Sequence, residues 1–525
     1  MKTIRNSITL AEALKHRVLL LDGSTGVVLQ QRKLTESQIR GRRFQTHTHP
    51  LASNLDILCL SRPETVAEIH REYLEAGADI IETNSFNANS LSQKEYATSH
   101  LVREINLAAA RIARREADRF TAMNREQPRF VAGSIGPTAH SASLPVDVDN
   151  PAARSVDFDT LVNAYSEQAA ALVEGGVDML LIETIFDPLN AKAAAMGARK
   201  AFRLTGQEVP LIFSATLSDA SGRLLTGHTV EAFLATVAHF RPIALGFNCS
   251  AGPAGLADAV RHLSESSPFA TILYPNAGLP DRLGEYDLTP EAFVAEIRPL
   301  LAENRLNIVG GCCGTTPRHI AALRKALDDS TARPRITTTD ADAPLPWICG
   351  LEPVNESQGF INVGERCNVA GSRKFLRLIK ERNYQEALEI ARRQVHDGTM
   401  AIDINMDDAM LDARAEMVGF LRILGSDPVT ASVPWMIDSS DFGLIECALG
   451  NVAGKGIVNS ISLRDGEEEF LRKARVIAGF GAAVVVMLFD EQGQATTYER
   501  KIEIAARAYR LLTGSCGFEA RDIII

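Results

Sequence analysis

Three cysteines carry the most specific chemical signal in this chain. Gly310-Gly-Cys-Cys-Gly-Thr-Thr316 sets Cys312 and Cys313 side by side among glycines, after the short apolar run Ile308–Val309. Asn248-Cys249-Ser250 follows another such run, Ile243–Phe247. A disulfide between neighbouring cysteines is strained, and glycines let the backbone turn both side chains toward one point. On the residues alone two readings stay open. The thiols are buried core groups, which is common for cysteine. Alternatively, three thiolates converge on one Zn2+ and leave its fourth tetrahedral position open, as in catalytic zinc sites. Three anionic ligands make a poor activator of water, but they suit a substrate thiol held as a thiolate that attacks carbon. S-methylation is the simplest such reaction. Cys59, Cys349, Cys447 and Cys516 lack this setting and read as core thiols.

Such distant cysteines meet only if a fold brings their strand ends to one face. Eight short apolar runs, Val18–Leu21, Asp79–Glu82, Phe130–Ser134, Met179–Glu183, Leu211–Ser214, Ile243–Phe247, Thr271–Tyr274 and Ile308–Val309, alternate with amphipathic stretches such as Thr65–Ala76 and Pro188–Leu204. Strands of this length separated by helices read as β-α units on a parallel sheet. Eight units predict a closed (β/α)8 barrel, with all strand ends on one rim. No Gly-x-Gly-x-x-Gly follows an early run, which lowers the dinucleotide-binding open sheet. Residues 328–351, rich in Thr, Pro, Asp and Ala, read as a linker. A second series follows at Phe360–Val363, Met400–Ile404, Trp435–Ile437, Gly456–Ile461, Ala482–Leu488 and Ile523–Ile525, separated by helical patterns such as Phe375–His396.

The chain has 525 residues, 46% hydrophobic and 23% charged, which supports folded cores rather than disorder. With 55 Lys+Arg against 65 Asp+Glu it is net acidic, against a nucleic-acid partner. No apolar run reaches the roughly 18 residues a membrane span needs. The polar start shows no signal-peptide pattern, so a cytoplasmic location with reduced thiols is expected. The basic strip Arg40–Arg43 reads as a solvated loop.

Further motifs stand in order on the first series. Asp22-Gly23 follows the first run, Glu82-Thr-Asn-Ser-Phe-Asn-Ala-Asn89 the second, Gly133-Ser-Ile-Gly-Pro137 the third and Glu183-Thr184 the fourth. With Asn248-Cys249 and the Cys312-Cys313 loop, they resemble the homocysteine S-methyltransferase barrel over residues 10–327. The resemblance implies that Cys249, Cys312 and Cys313 hold Zn2+ and that homocysteine sulfur takes the fourth position. No catalytic group is implied beyond zinc activation of that thiol. Asp22, Gly23 and Glu183 are implied as homocysteine-binding residues, the two carboxylates meeting the ammonium. The loop departs from the family at Ser24-Thr25, where Ala-Met is usual.

The second series carries Asn362-Val-Gly-Glu-Arg-Cys-Asn368, Asp403-Ile-Asn-Met-Asp407, Ile437-Asp-Ser-Ser440 and Val458-Asn-Ser-Ile-Ser462. Carboxylates and amides at successive strand ends suit a heteroaromatic ring with several donors and acceptors. Turn and cap chemistry accounts for any one motif, but poorly for all four. Over residues 352–525 these motifs resemble the pterin-binding barrel of cobalamin-dependent methionine synthases and related methyltetrahydrofolate methyltransferases. That resemblance implies that Asp438 and Asn459 contact the pterin edge, with Glu365, Asp403 and Asn405 supporting the pocket. Cys367 and Trp435 depart from the family, which has Thr and a smaller apolar residue there.

The order of the two regions is that of cobalamin-dependent methionine synthases. It implies homocysteine and 5-methyltetrahydrofolate as substrates, and methylcobalamin as carrier on a module normally in cis. That module has an Asp-x-His-x-x-Gly motif, and none is found here, so the cobalamin-binding modules are expected outside this chain. Neither a nucleic acid nor a membrane is expected as a partner. The expected fold is α/β: a TIM barrel, then a second TIM-type pterin-binding barrel truncated after its sixth strand, as in a shortened record of a longer enzyme. Two competing expectations are a cobalamin-independent homocysteine S-methyltransferase with a small methyl donor, and a non-catalytic zinc-containing fragment.

Overall fold

A computed structural model of the chain describes residues 8–218, 221–280, 282, 286–329, 333–335, 345–354, 357 and 359–525. The first eight strands are β1 (Leu19–Leu20), β2 (Ile80–Glu82), β3 (Phe130–Ile135), β4 (Met179–Ile185), β5 (Leu211–Ala215), β6 (Ala244–Cys249), β7 (Ala270–Pro275) and β8 (Ile308–Val309). All pair in parallel, in the order β1-β8-β7-β6-β5-β4-β3-β2. A bridge between Leu21 and Ile80 joins the two ends of that order, so the sheet closes into a barrel. All eight expected runs became strands, with no end shifted by more than two residues.

Strand alternation divides the core. Leu19, Ile80, Phe130, Met179, Leu181, Ile212, Ile272 and Ile308 form one buried cluster inside the ring. Leu20, Ile81, Val131, Leu180, Phe213, Leu245 and Val309 pack outward against the helices. This is the period of two that a sheet buried on both faces requires. Helix Leu10–His16, started by a Thr9/Glu12 capping box, adds Leu10, Ala13 and Leu14 to the inner cluster and plugs the bottom of the barrel. The outer helices carry strong start signals. Pro63, Pro188, Pro253, Pro290 and Pro317 each open a helix.

The second region contains β9 (Val363–Asn368), β10 (Ala401–Asn405), β11 (Trp435–Asp438), β12 (Ile457–Ile461), β13 (Ala483–Val486) and β16 (Ile523–Ile524). They form one parallel sheet in the order β16-β13-β12-β11-β10-β9. A small antiparallel pair, β14 (Phe489–Asp490) and β15 (Gly493–Gln494), lies outside it and was not foreseen. Two expectations are corrected. The first strand is not the apolar run Phe360–Val363 but the motif after it. Phe360 is 77% exposed, while β9 pairs with β10 through Val363, Gly364, Cys367 and Asn368. The single helix expected over Phe375–His396 is two, Arg373–Lys380 and Tyr384–His396. Arg382 turns the chain at φ +55°, and Asn383 caps the second helix by accepting from Glu386 N.

Much of the expected linker, including residues 330–332 and 336–344, lies outside the described residues. Its C-terminal part is packed rather than free. Ile348 is fully buried among Ala401, Met436, Ile457 and Ala483, filling the bottom of the second sheet. Cys349 sits among Ala232 and Ala235 of the first barrel and bonds Lys455 of the second region in both directions. Lys192, 2% exposed, crosses the same junction. Its ammonium donates to the carbonyls of Val452 at 3.0 Å and Gly454 at 2.5 Å. No helix among the described residues is long and apolar enough to cross a membrane.

Lys192→Met should leave both carbonyls unmet and lower the unfolding free energy by about 2–4 kcal/mol. Urea denaturation followed by tryptophan fluorescence reads this, since Trp347 packs against the second sheet and Trp435 lies on β11.

Candidate functional site

At the rim of the barrel the chain turns sharply to aim its thiols. Cys249 ends β6 at φ +59°, and Gly314, at φ +79°, turns the loop after β8. A side chain at Gly314 would strike the Tyr286 ring, 2.3 Å from its Cβ position, so the tyrosine lies directly against this turn. Neighbouring strands pin the loop. Cys312 N–H donates to Pro275 O at 2.8 Å, and Cys313 N–H donates to Asn276 Oδ1 at 3.1 Å. Thr315 Oγ1 donates to Cys312 O at 2.6 Å.

The three sulfurs lie 3.2, 3.6 and 4.0 Å apart. These gaps are too long for a disulfide, at about 2.05 Å. They bracket the spacing of roughly 3.8 Å that a tetrahedral shell with 2.3 Å metal–sulfur bonds requires. Cys249, Cys312 and Cys313 are the one such donor group among the described residues. Left to themselves the thiols share their charge unequally. Hydrogen bonds from Cys249 and Cys312 pull Cys313 down to about 3, and the Tyr286 hydroxyl adds to this. Cys312 is pushed far above the ordinary thiol value by its bonds to the other two sulfurs and by burial.

Beside the sulfurs lie three carboxyl groups. Asp22 Oδ2 accepts from Glu82 N at 3.0 Å, while its Oδ1 is buried without a partner. Glu183 accepts from the Ser134 hydroxyl and, at 3.2 Å, from the Tyr274 hydroxyl. Burial pushes Glu183 up to about 7 and lifts Asp22 and Glu82 well above the carboxylate range. Repulsion from Glu183 adds to the rise of Asp22 and Glu82. Neither expected residue is a helix cap. Ser24 caps the helix Thr25–Gln31 and Asp187 caps Pro188–Thr205, which also explains the departure at Ser24. Gly23 permits close packing, since a Cβ there would lie 2.8 Å from Thr315 Oγ1.

Several contributors were quoted only as parts of motifs or not at all. Glu82 stands at the end of β2, and Tyr286 and Asn276 follow β7. Asn248, fully buried, donates to Thr184 Oγ1 at 2.9 Å and reaches Cys312 Sγ at 3.8 Å. A strand-end position was the available signal for Glu82, Asn248 and Asn276. Nothing in the sequence marked Tyr286.

The second sheet gathers its own polar group at the C-terminal ends of β9 to β12. Asn368 Nδ2 donates to Asp403 Oδ2 and to Asp438 Oδ2, at 3.1 Å each. Asn405 Nδ2 donates to the same oxygen of Asp438 at 3.0 Å. The Asn459 side chain bonds Asp403. Burial raises Asp403 to about 6, the Asn368 amide offsets part of the rise, and the charges of Asp438 and Glu365 add to it. Glu365 is exposed on β9 and makes no side-chain hydrogen bond among the described residues. Asn368, central to the arrangement, was noted only as a motif end. Cys367 is a buried thiol accepting from Gln394, and Trp435 donates its indole N–H to Thr430 O at 3.0 Å, so both departures are absorbed by packing.

Convergent thiols and carboxyls stand on the rim of a parallel barrel that is joined to a sheet with amide-clamped carboxylates, a two-part α/β protein. The homocysteine S-methyltransferase family model matches residues 19–327, more than half of the sequence, and the chain belongs to that family. The pterin binding enzyme model matches residues 364–525. In this order the two fit the N-terminal region of a methionine synthase-type enzyme, and they support methyl transfer to homocysteine. Among solved structures the chain is similar to the homocysteine methyltransferase MmuM from Escherichia coli. Its oxidized form is 23% identical, with 59% of this chain and 95% of that chain covered and a TM-score of 0.47. The metallated form is 24% identical, covering 59% and 96%, with a TM-score of 0.45.

Between 4.5 and about 7 the folded chain holds a proton on Glu183 that the unfolded chain has released, so stability falls as pH rises through that window. Glu183→Gln should remove up to about 3 kcal/mol of that fall. Urea unfolding of the metal-free protein at pH 5 and pH 8 checks it.

Proposed function

We propose that this chain carries the homocysteine half, residues 10–327, and the folate half, residues 352–525, of a cobalamin-dependent methionine synthase. The residues between, 328–351, connect them. The observation that carries the reading is three sulfurs within 4.0 Å of one another beside two buried carboxyl groups and a partly buried third on one barrel rim. The donor set fits zinc in ligand type, number and spacing. Bound zinc would hold the homocysteine sulfur as a reactive thiolate, and a cobalamin cofactor on another module would carry the methyl group between the halves.

The chain's own residues account for recognition. Asp22, through its unpartnered Oδ1, and Glu183 receive the substrate ammonium, whose charge relieves their repulsion. Gly23 lets the rim loop close onto them. Asn248 and Asn276 orient the cysteine loops, and the Tyr286 hydroxyl steadies Cys313. In the folate half, Asn368 and Asn405 occupy one oxygen of Asp438 and turn the carboxylate so that the other can accept from an amino-pyrimidine edge. Asn459 and Asp403 continue the polar edge, with Glu365 at the outer margin. These carboxylates and amides support a pterin donor over a small methyl donor.

The direct test supplies purified protein with zinc, homocysteine and free methylcobalamin and measures methionine. Methionine should form, and Cys312→Ala should lose both bound zinc and product. Methylation from a sulfonium or betaine donor without cobalamin would replace this reading. Asp438→Asn should weaken methyltetrahydrofolate binding by about tenfold or more in calorimetry and leave zinc content unchanged.

A further inference from the structure

A second concavity lies away from both rims. The two regions leave between them a cavity of about 430 Å³. This is within the roughly 300–1,000 Å³ range of small-molecule sites. The first barrel lines it with Arg199, His239 and Arg241, and the second region with Lys455, Arg475 and Arg521. Two of these cations are matched. Lys455 Nζ lies 2.8 Å from Asp522, and Arg521 Nε lies 3.1 Å from Glu519. Arg199, Arg241 and Arg475 form no ion pair among the described residues.

Arg199 is held in place. Its guanidinium carbon stands 4.5 Å from the centre of the Phe240 ring, and Nη2 donates to the His239 carbonyl at 3.1 Å. Glu208 lies near enough to attract it without forming an ion pair, while Arg203 and Arg241 repel it. The surplus of positive charge extends inward. The buried Lys192 ammonium is bonded only to carbonyls, and its charge acts on His239 together with those of Arg199 and Lys455. Arg199 is partly buried and Arg241 and Arg475 are exposed, and like charges gathered around one concavity concentrate anions there. Arginine forks are suited to phosphate and carboxylate oxygens.

The geometry points to an anion site at this junction: the cavity takes a small ligand bearing two or more phosphate or carboxylate groups, held by Arg199 and Arg241 on one side and Arg475 on the other. A ligand held from both sides ties the two regions together and stabilises the folded chain by linkage.

Calorimetry on the whole chain, with pyrophosphate and citrate titrated separately, tests this. Saturable binding of at least one anion is expected, accompanied by a higher unfolding temperature and weakened by added salt. Tighter binding of pyrophosphate would identify a phosphate-bearing ligand, and tighter binding of citrate a carboxylate-bearing one. Arg241→Gln and Arg475→Gln change exposed side chains, one on each side, and each should weaken binding about tenfold. Failure of both anions to bind would overturn the proposal. So would binding unchanged in the double variant, which would place the anion in a substrate pocket instead.

Discussion

Negative groups are crowded at one barrel rim, and much of the site follows from that. The charges that raise Asp22 and Glu82 come from neighbouring carboxylates, and Cys313 acts on Glu183. A closed parallel barrel delivers every strand's C-terminal end to one rim, and here the first, second, fourth, sixth and eighth ends supply acids or thiols. Such a rim is high in energy alone and low in energy around cations. Under the proposed function, a metal among the sulfurs and an ammonium among the carboxyls would supply those cations. Local features serve this placement, from the left-handed turn at Cys249 to the asparagines that hold the sulfur loops.

The second sheet meets a similar difficulty with amides. Asp403 and Asp438 are partly or wholly buried, yet Asn368, Asn405 and Asn459 donate to them. A carboxylate held in this way stays oriented to accept from neutral N–H groups. The contrast suits the two proposed substrates, an amino acid with a charged amine and a neutral heteroaromatic ring.

The junction between the two regions is a built contact rather than a tether. The Lys192 ammonium, the Cys349 thiol and the Arg154 guanidinium, which reaches the Arg422 carbonyl at 2.8 Å, all cross it. Phe158 and Phe480 meet across it as a tilted pair with ring centres 5.4 Å apart. These contacts hold together two regions whose chemical groups lie at separate strand ends.

The sequence by itself determined the repeating β-α architecture, because strands buried on both faces must be apolar and leave short, regular runs. It also determined the donor types at the rims, since Cys249, Cys312, Cys313, Asp22 and Glu183 sit directly after such runs. It was least legible where apolar content misleads. β9 is a polar strand whose exposed Glu365 and Arg366 hide it, and the exposed Phe360 beside it gave a false start. The split helix after it depends on one turn at Arg382. Only the tertiary structure decided that Asn368 clamps two carboxylates from different strands and that Tyr286 touches a sulfur. It alone decided that three arginines from two regions face one cavity. The physical reason is the same in each case. A periodic pattern records which side of an element is buried, whereas a hydrogen bond or a charge contact depends on which distant element lies opposite, and that is settled only when the chain packs.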